Sequence, residues 1–181
     1  MKRLTLLRHA KSGWDDPVSR DFDRPLNAKG HRAARAMGRH MRDLGLRFDH
    51  VVASPALRVT ETLGEIWQGY GRVLDPQLDR RVYLASASTL LDVVQETPDQ
   101  AESLLLSGHN PGMEELILLL VPDRHDDSAR DRVEEKFPTA SLAELQFDVA
   151  HWADIRPGGG RITRFVRPRD LDPALGPDAI A

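Results

Sequence analysis

Two histidines and two arginines stand at places in this chain where a fold can aim them. Arg8-His9 follows the apolar run Leu4-Thr5-Leu6-Leu7, Arg58 comes shortly after Ser54-Pro55, and His109 lies in Gly108-His109-Asn110-Pro111, directly after the apolar run 103–107. A guanidinium is a permanent cation with a planar fork of donors, suited to paired oxygens of an anion. An imidazole has an ordinary pKa near 6.5, so near neutrality it is a nucleophile, a base or a donor according to its surroundings. No carboxylate is obligatory in the set, and the chemistry it suggests is the grip of an anion. Singly, each residue has a plainer reading: a surface turn for Arg8-His9, a solvated side chain for Arg58, a loop residue for His109. Together they argue otherwise, because each follows a run expected to be a buried strand.

The elements that must place these residues can be read from hydrophobic periodicity. Residues 4–7, 51–53 and 103–107 read as short buried strands, with Val73-Leu74 as a marginal one. Ala33, Ala34, Met37, Met41 and Leu44 recur at helical spacing, with Asn27 to cap the start and Gly45 the end. Ser54-Pro55 and Asn110-Pro111 each offer a cap followed by a first-turn proline. A further helix is expected from Ser86 or Ser88 to Glu96. Residues 122–136 read as a charged excursion or lid. Residues 140–149 and 161–166 read as late strands parted by Pro157-Gly158-Gly159-Gly160. Strand and helix alternate, which predicts an α/β fold: a three-layer α/β/α arrangement around a mainly parallel sheet, with an antiparallel edge from the late strands. In such sheets ligands bind at the carboxyl ends of the strands, which is where the four residues fall.

Bulk properties narrow the function. With 181 residues the chain suits one domain, expected over residues 1–167, with 168–181 as a loose tail. Apolar residues make up 40% and charged residues 29%, enough for a core beneath a solvated surface. The net charge of −3 speaks against a globally basic nucleic-acid binder but permits a local cationic pocket. There are no cysteines, so disulfides and thiolate chemistry are excluded. No run is long enough for a signal core or a membrane span, and a cytoplasmic enzyme is the default expectation. His31, His40, His50, His125 and His151 fit no zinc spacing and read as surface residues, so no metal site and no cofactor is expected. The arginines between 32 and 42 read as a solvated helix face.

Taken in order, Leu7-Arg8-His9-Ala10, Ser12, Trp14, Arg24-Pro25-Leu26 with Gly30, Ser54-Pro55 with Arg58, Thr60 and Thr62, and Gly108-His109-Asn110-Pro111 resemble the histidine phosphatase superfamily, also called phosphoglycerate mutase-like. Lys11 to Pro17 and Phe137-Pro138-Thr139-Ala140 are most similar to its SixA-type phosphohistidine phosphatase branch. The resemblance implies that His9 attacks phosphorus and becomes a phosphohistidine, while Arg8, Arg58 and His109 hold the phosphoryl oxygens. Ser12 and Asn110 are further substrate-binding candidates.

Many members of the family carry a glutamate just after a tyrosine in the segment matching Tyr83-Leu84-Ala85, where it protonates the leaving group; here that position is Leu84. The family resemblance also sets Asp15 where mutase-like members carry asparagine. Without that acid, phosphohistidine is favoured over an alkyl phosphate, because imidazole is a weakly basic leaving group. Asp15, Asp16 or Asp23 could supply the proton instead. The expected partner is a phosphorylated protein, such as a phosphotransfer domain or phosphocarrier, or a small phosphorylated molecule. A broad small-molecule phosphomonoesterase and a non-catalytic phosphate-binding module are the alternatives.

Overall fold

The computed structural model describes residues 1–13 and 20–177. Among them six strands form one sheet in the order β3-β2-β4-β1-β5-β6. The central strands β1 (Lys2–Arg8), β2 (His50–Ala53) and β4 (Ser103–Gly108), with the two-residue β3 (Gln77–Leu78), run parallel. The late strands β5 (Leu142–Phe147) and β6 (Gly160–Val166) are antiparallel, β5 pairing with β1 and β6 forming the edge. The expected three-layer α/β architecture is therefore observed.

Helices cover both faces, which is why the central strands are apolar throughout. On one face, α1 (Ala28–Asp43) and α2 (Leu57–Tyr70) bury Met37, Met41, Val59, Leu63 and Ile66 against Leu7, Val51 and Leu105. On the other, α3 (Ala87–Gln95) and α4 (Gly112–Leu120) bury Leu90, Val94, Met113 and Leu116 against Leu4, Leu6 and Leu106. Asn27 caps α1 as its sequence suggested, accepting from the Gly30 amide at 2.8 Å. The α1–α2 crossing is close enough to require glycine. A Cβ on Gly38 would lie 2.3 Å from the Ile66 carbonyl oxygen, and one on Gly69 2.2 Å from that of Arg35. This crossing seats α2, and with it Arg58.

Several local expectations change. Ser54 does not cap α2: the helix begins at Leu57, and Ala56 before it makes no side-chain cap bond. The Ser54 hydroxyl is turned instead toward His109. Val73-Leu74 is not a strand. β3 lies further on at Gln77–Leu78, where pairing with Val52 and Ala53 defines it, and its exposed side chains left no apolar signal.

Residues 122–136 are no open excursion. Residues Ser128–Glu135 form α5, capped by Asp127, with Val133 fully buried and the Arg130 guanidinium bonded to the Val121 carbonyl at 2.8 Å. Two apolar residues, Val133 and Ala129, and one buried arginine stem seat a helix whose other faces are charged. Nor are residues 168–177 loose. Pro168–Leu171 forms a one-turn helix, α6, followed by a 3₁₀ turn at Pro173–Leu175, and both pack on α1. Pro168 is buried, Asp170 bonds back to the Arg167 amide at 2.8 Å, and the Lys29 ammonium donates to the Gly176 carbonyl. Residues 178–181 lie outside the described residues.

Candidate active site

β1 and β4 are adjacent and parallel, with Arg8 opposite Gly108, so His9 and His109 leave the sheet side by side. Their ring centroids are 5.3 Å apart. β2, on the other side of β4, delivers Ser54, and α2 returns Arg58 to the same place. The Arg58 guanidinium lies 3.3 Å from His109 Nδ1, and the Ser54 hydroxyl 2.8 Å from His109 Nε2. Thr62, one turn beyond Arg58, ties the arrangement down: its hydroxyl donates to the Arg58 carbonyl at 2.6 Å and accepts from the Ala10 amide at 2.9 Å. His9, Ser54, Arg58 and His109 are all buried.

These contacts fix the tautomers. His9 Nδ1 lies 2.7 Å from the Ala10 carbonyl oxygen, which can only accept, so Nδ1 carries the proton and Nε2 keeps its lone pair. Arg58 can only donate to His109 Nδ1, so His109 in its neutral form is protonated at Nε2 and donates to Ser54. Burial, with the nearby Arg8 and Arg58 charges and opposed by the Ala10 carbonyl, pushes His9 down to about 3. Burial and Arg58 push His109 down to about 4. Both rings are neutral at physiological pH. The family resemblance sets His109 to hold the phosphoryl oxygens. Instead it spends both nitrogens on Arg58 and Ser54.

Arg8 reaches the site from β1 and is aimed by the segment after α5: its guanidinium donates to the Phe137 carbonyl at 3.0 Å. The Nε atoms of both Arg8 and Arg58 are buried and have no hydrogen-bond partner among the described residues. An unsatisfied buried donor is costly, more so on a charged group. Two of them, on the cations whose charges act on His9, fit an oxyanion.

Ser12 and Asn110, expected to touch substrate, are committed to the backbone. The Ser12 hydroxyl donates to the Pro25 carbonyl at 2.6 Å and locks the Ser12–Leu26 bridge. The Asn110 amide donates to the Phe137 carbonyl at 2.9 Å while its oxygen accepts from the Glu114 amide at 3.2 Å. Asn110 thus holds the carbonyl that also orients Arg8.

Sequence reasoning passed over Asp21. Its carboxylate lies 2.9 Å from Arg58 and accepts from the Tyr83 hydroxyl at 2.6 Å, and its backbone carbonyl accepts from Arg58 at 2.8 Å. Burial works to raise the Asp21 pKa, but the hydrogen bonds from Tyr83 and Arg58 outweigh it and hold the carboxyl below its ordinary range. No spacing rule marks one aspartate among several in a loop. Of the suggested proton donors, Asp23 is paired with Arg20 at 2.8 Å, and Asp15 and Asp16 lie outside the described residues. Leu84 is exposed, with a left-handed φ of 50°.

Comparison with known proteins agrees with this geometry. The model of the histidine phosphatase superfamily (branch 1) matches residues 4–83. An uncharacterised Mycobacterium tuberculosis protein, Rv1276c, is 34% identical over 164 residues, covering 90% of this chain and 100% of its own. Among solved structures, a candidate phosphohistidine phosphatase SixA from Nakamurella multipartitia superposes with a TM-score of 0.80 at 28% identity, covering 92% of this chain and 96% of its own. A second such SixA, from Agrobacterium tumefaciens, gives 0.76 at 29%, covering 92% and 98%. A fold with paired histidines at adjacent strand ends, matched along nearly its whole length by these relatives, makes this chain a phosphatase of the histidine phosphatase superfamily, branch 1, in its SixA-type branch.

Proposed function

We propose that this enzyme hydrolyses phosphohistidine on a phosphorylated protein, through a covalent phosphohistidine at its own His9. The observation that carries the reading is the tautomer of His9. With Nδ1–H held by the Ala10 carbonyl, the Nε2 lone pair is free and unprotonated. In the first step Nε2 bonds to phosphorus as the bond from phosphorus to the substrate nitrogen breaks. The His9 ring gains positive charge, which strengthens its Nδ1–H···O bond, and the substrate ring, protonated from solvent at its other nitrogen before the bond breaks, departs as neutral imidazole. In the second step water attacks phosphorus, the His9–phosphorus bond breaks, and orthophosphate leaves with His9 restored. Charge on the equatorial oxygens is met by the guanidinium groups of Arg8 and Arg58, whose Nε–H donors are otherwise unsatisfied. This scheme calls on no metal. His109 positions Arg58 rather than donating directly.

The choice of substrate rests on the leaving group. Leu84 cannot protonate an alkoxide, and the carboxylate that the fold does bring to Arg58, Asp21, is held ionised. Once the other ring nitrogen of a phosphohistidine is protonated, the group that leaves is neutral imidazole, with a conjugate-acid pKa of about 6.5, and it needs no further acid. The reading predicts that kcat/KM on a phosphohistidine peptide exceeds that on a phosphoserine peptide by roughly 100-fold or more. Quenching into alkaline detergent, which preserves phosphohistidine, should trap a labelled enzyme in wild type and none in His9→Ala. A preference for phosphoserine would overturn the substrate, and equal labelling of both proteins would overturn the nucleophile.

A further inference from the structure

Arg8 also lines a cavity of about 350 Å³ beside the His9 site. Five more cations line it: Lys11, Lys29, Lys136, Arg167 and Arg169. They arrive from separate parts of the chain: the loop after β1, the start of α1, the end of α5 and the region of α6. Among the described residues that line it there is no carboxylate. The protein as a whole is acidic, with a net charge of −3, so this concentration runs against its overall balance. Arg8, Lys136, Arg167 and Arg169 bring like charge to one concavity, which an anion held there would offset. Asp170 offsets Arg167 in part, at 2.8 Å. Lys136 and Arg169 are exposed and have no ion-pair partner among the described residues.

We propose that this cavity is a second anion subsite, which holds a phosphate group carried by the same substrate that presents its phosphoryl group to His9. The proposal rests on the phosphatase reading above and adds a specificity to it. A phosphate brings a charge of about −1.5 to −2 and three acceptor oxygens, enough to engage several cations at once. The volume is at the small end for a ligand site, suited to one such group and its linker rather than to a large molecule. Arg8 joins the two sites: its guanidinium is oriented by the Phe137 carbonyl, and Pro138 and Thr139, which follow Phe137, line the cavity. The second phosphate comes either from a small bisphosphorylated molecule or from a phosphorylated residue neighbouring the phosphohistidine.

Two substrate pairs separate these sources: fructose 1,6-bisphosphate against fructose 6-phosphate, and a phosphohistidine peptide with and without an adjacent phosphoserine. The second phosphate should raise kcat/KM by about tenfold or more in one pair, as expected for charge-assisted hydrogen bonds to exposed cations. The double variant Lys136→Ala/Arg169→Ala should reduce that gain to about threefold or less. Calorimetry with inorganic tripolyphosphate and orthophosphate gives a readout independent of turnover. Wild type should bind tripolyphosphate the more tightly, and the double variant should lose that preference. An active enzyme with no gain in either pair, or with a gain that the double variant retains, would overturn the subsite and leave the phosphatase reading intact. A protein inactive on every substrate, yet with a tripolyphosphate preference that the variant abolishes, would support the subsite and refute the phosphatase reading.

Discussion

Arg58 is a fully buried cation whose charge is met by one side chain from a neighbouring loop. Its two terminal nitrogens are shared among the Asp21 carboxylate, the Asp21 carbonyl and His109. Removing a partner from a buried pair leaves an uncompensated charge, at a cost of about 3–5 kcal/mol when both groups are buried. Asp21 is one-third exposed, so water recovers part of that loss and roughly 1–2 kcal/mol is the better expectation. Asp21→Ala should therefore lower the melting temperature. It should also make the protein more responsive to inorganic phosphate, because the anion then supplies the missing charge. The check is the phosphate-induced shift in melting temperature, which should be larger in the variant than in wild type. An equal or smaller shift would mean that Asp21 does not act as the counter-charge of Arg58.

The helix pair α1–α2 sets where that arginine sits, and it does so through glycine. Adding a methyl group at Gly38 brings it within 2.3 Å of the Ile66 carbonyl, an atom of the backbone that cannot rotate away. The helices must separate, and overpacking of this kind costs about 1–3 kcal/mol. Gly38→Ala should thus depress the melting temperature by about 2–12 °C for a chain of this size, and lower kcat/KM because α2 carries Arg58 with it. Gly64 lies on α2, with nothing near its missing Cβ. Gly64→Ala should hold or raise stability, since alanine is favoured over glycine in a helix by about 1 kcal/mol. Thermal denaturation of both variants tests the argument, and equal effects from the two would refute it.

Burying two neutral histidines links the stability of the entire fold to pH. Their folded-state values, about 3 for His9 and about 4 for His109, lie below the ordinary 6.5. Above pH 6.5 both are neutral whether the chain is folded or not, and they contribute nothing. As pH falls below 6.5 the unfolded chain takes up protons that the folded one refuses, so stability declines until the folded rings titrate as well. The loss is roughly 2 kcal/mol per histidine by pH 5. Denaturant unfolding at pH 7, 6 and 5 should show this decline, with a shallower slope in His9→Gln. An unchanged slope would place His9 in a more solvated setting than the structure gives it. Because His9 stays neutral, its protonation should not limit phosphoenzyme formation anywhere in this range.

Buried strands, helix periodicity, the strand-end position of Arg8, His9 and His109 and the place of Arg58 early in the next helix were all legible in the sequence, because apolar runs and their polar terminators are local patterns. A parallel sheet also gathers strand ends on one side, so the grouping followed once the strands were placed. Hydrogen-bond partners and packing could not be read that way. Asp21 reaches Arg58 across 37 positions, Ser54 turns from helix capping to His109, and the charged segment 128–135 becomes a helix seated by Ala129, Val133 and Arg130. The cations at 8, 11, 29, 136, 167 and 169 share a cavity only in the folded chain. Local preference follows from neighbours along the chain, whereas a side chain's partner is set by which elements the sheet and its helices bring together.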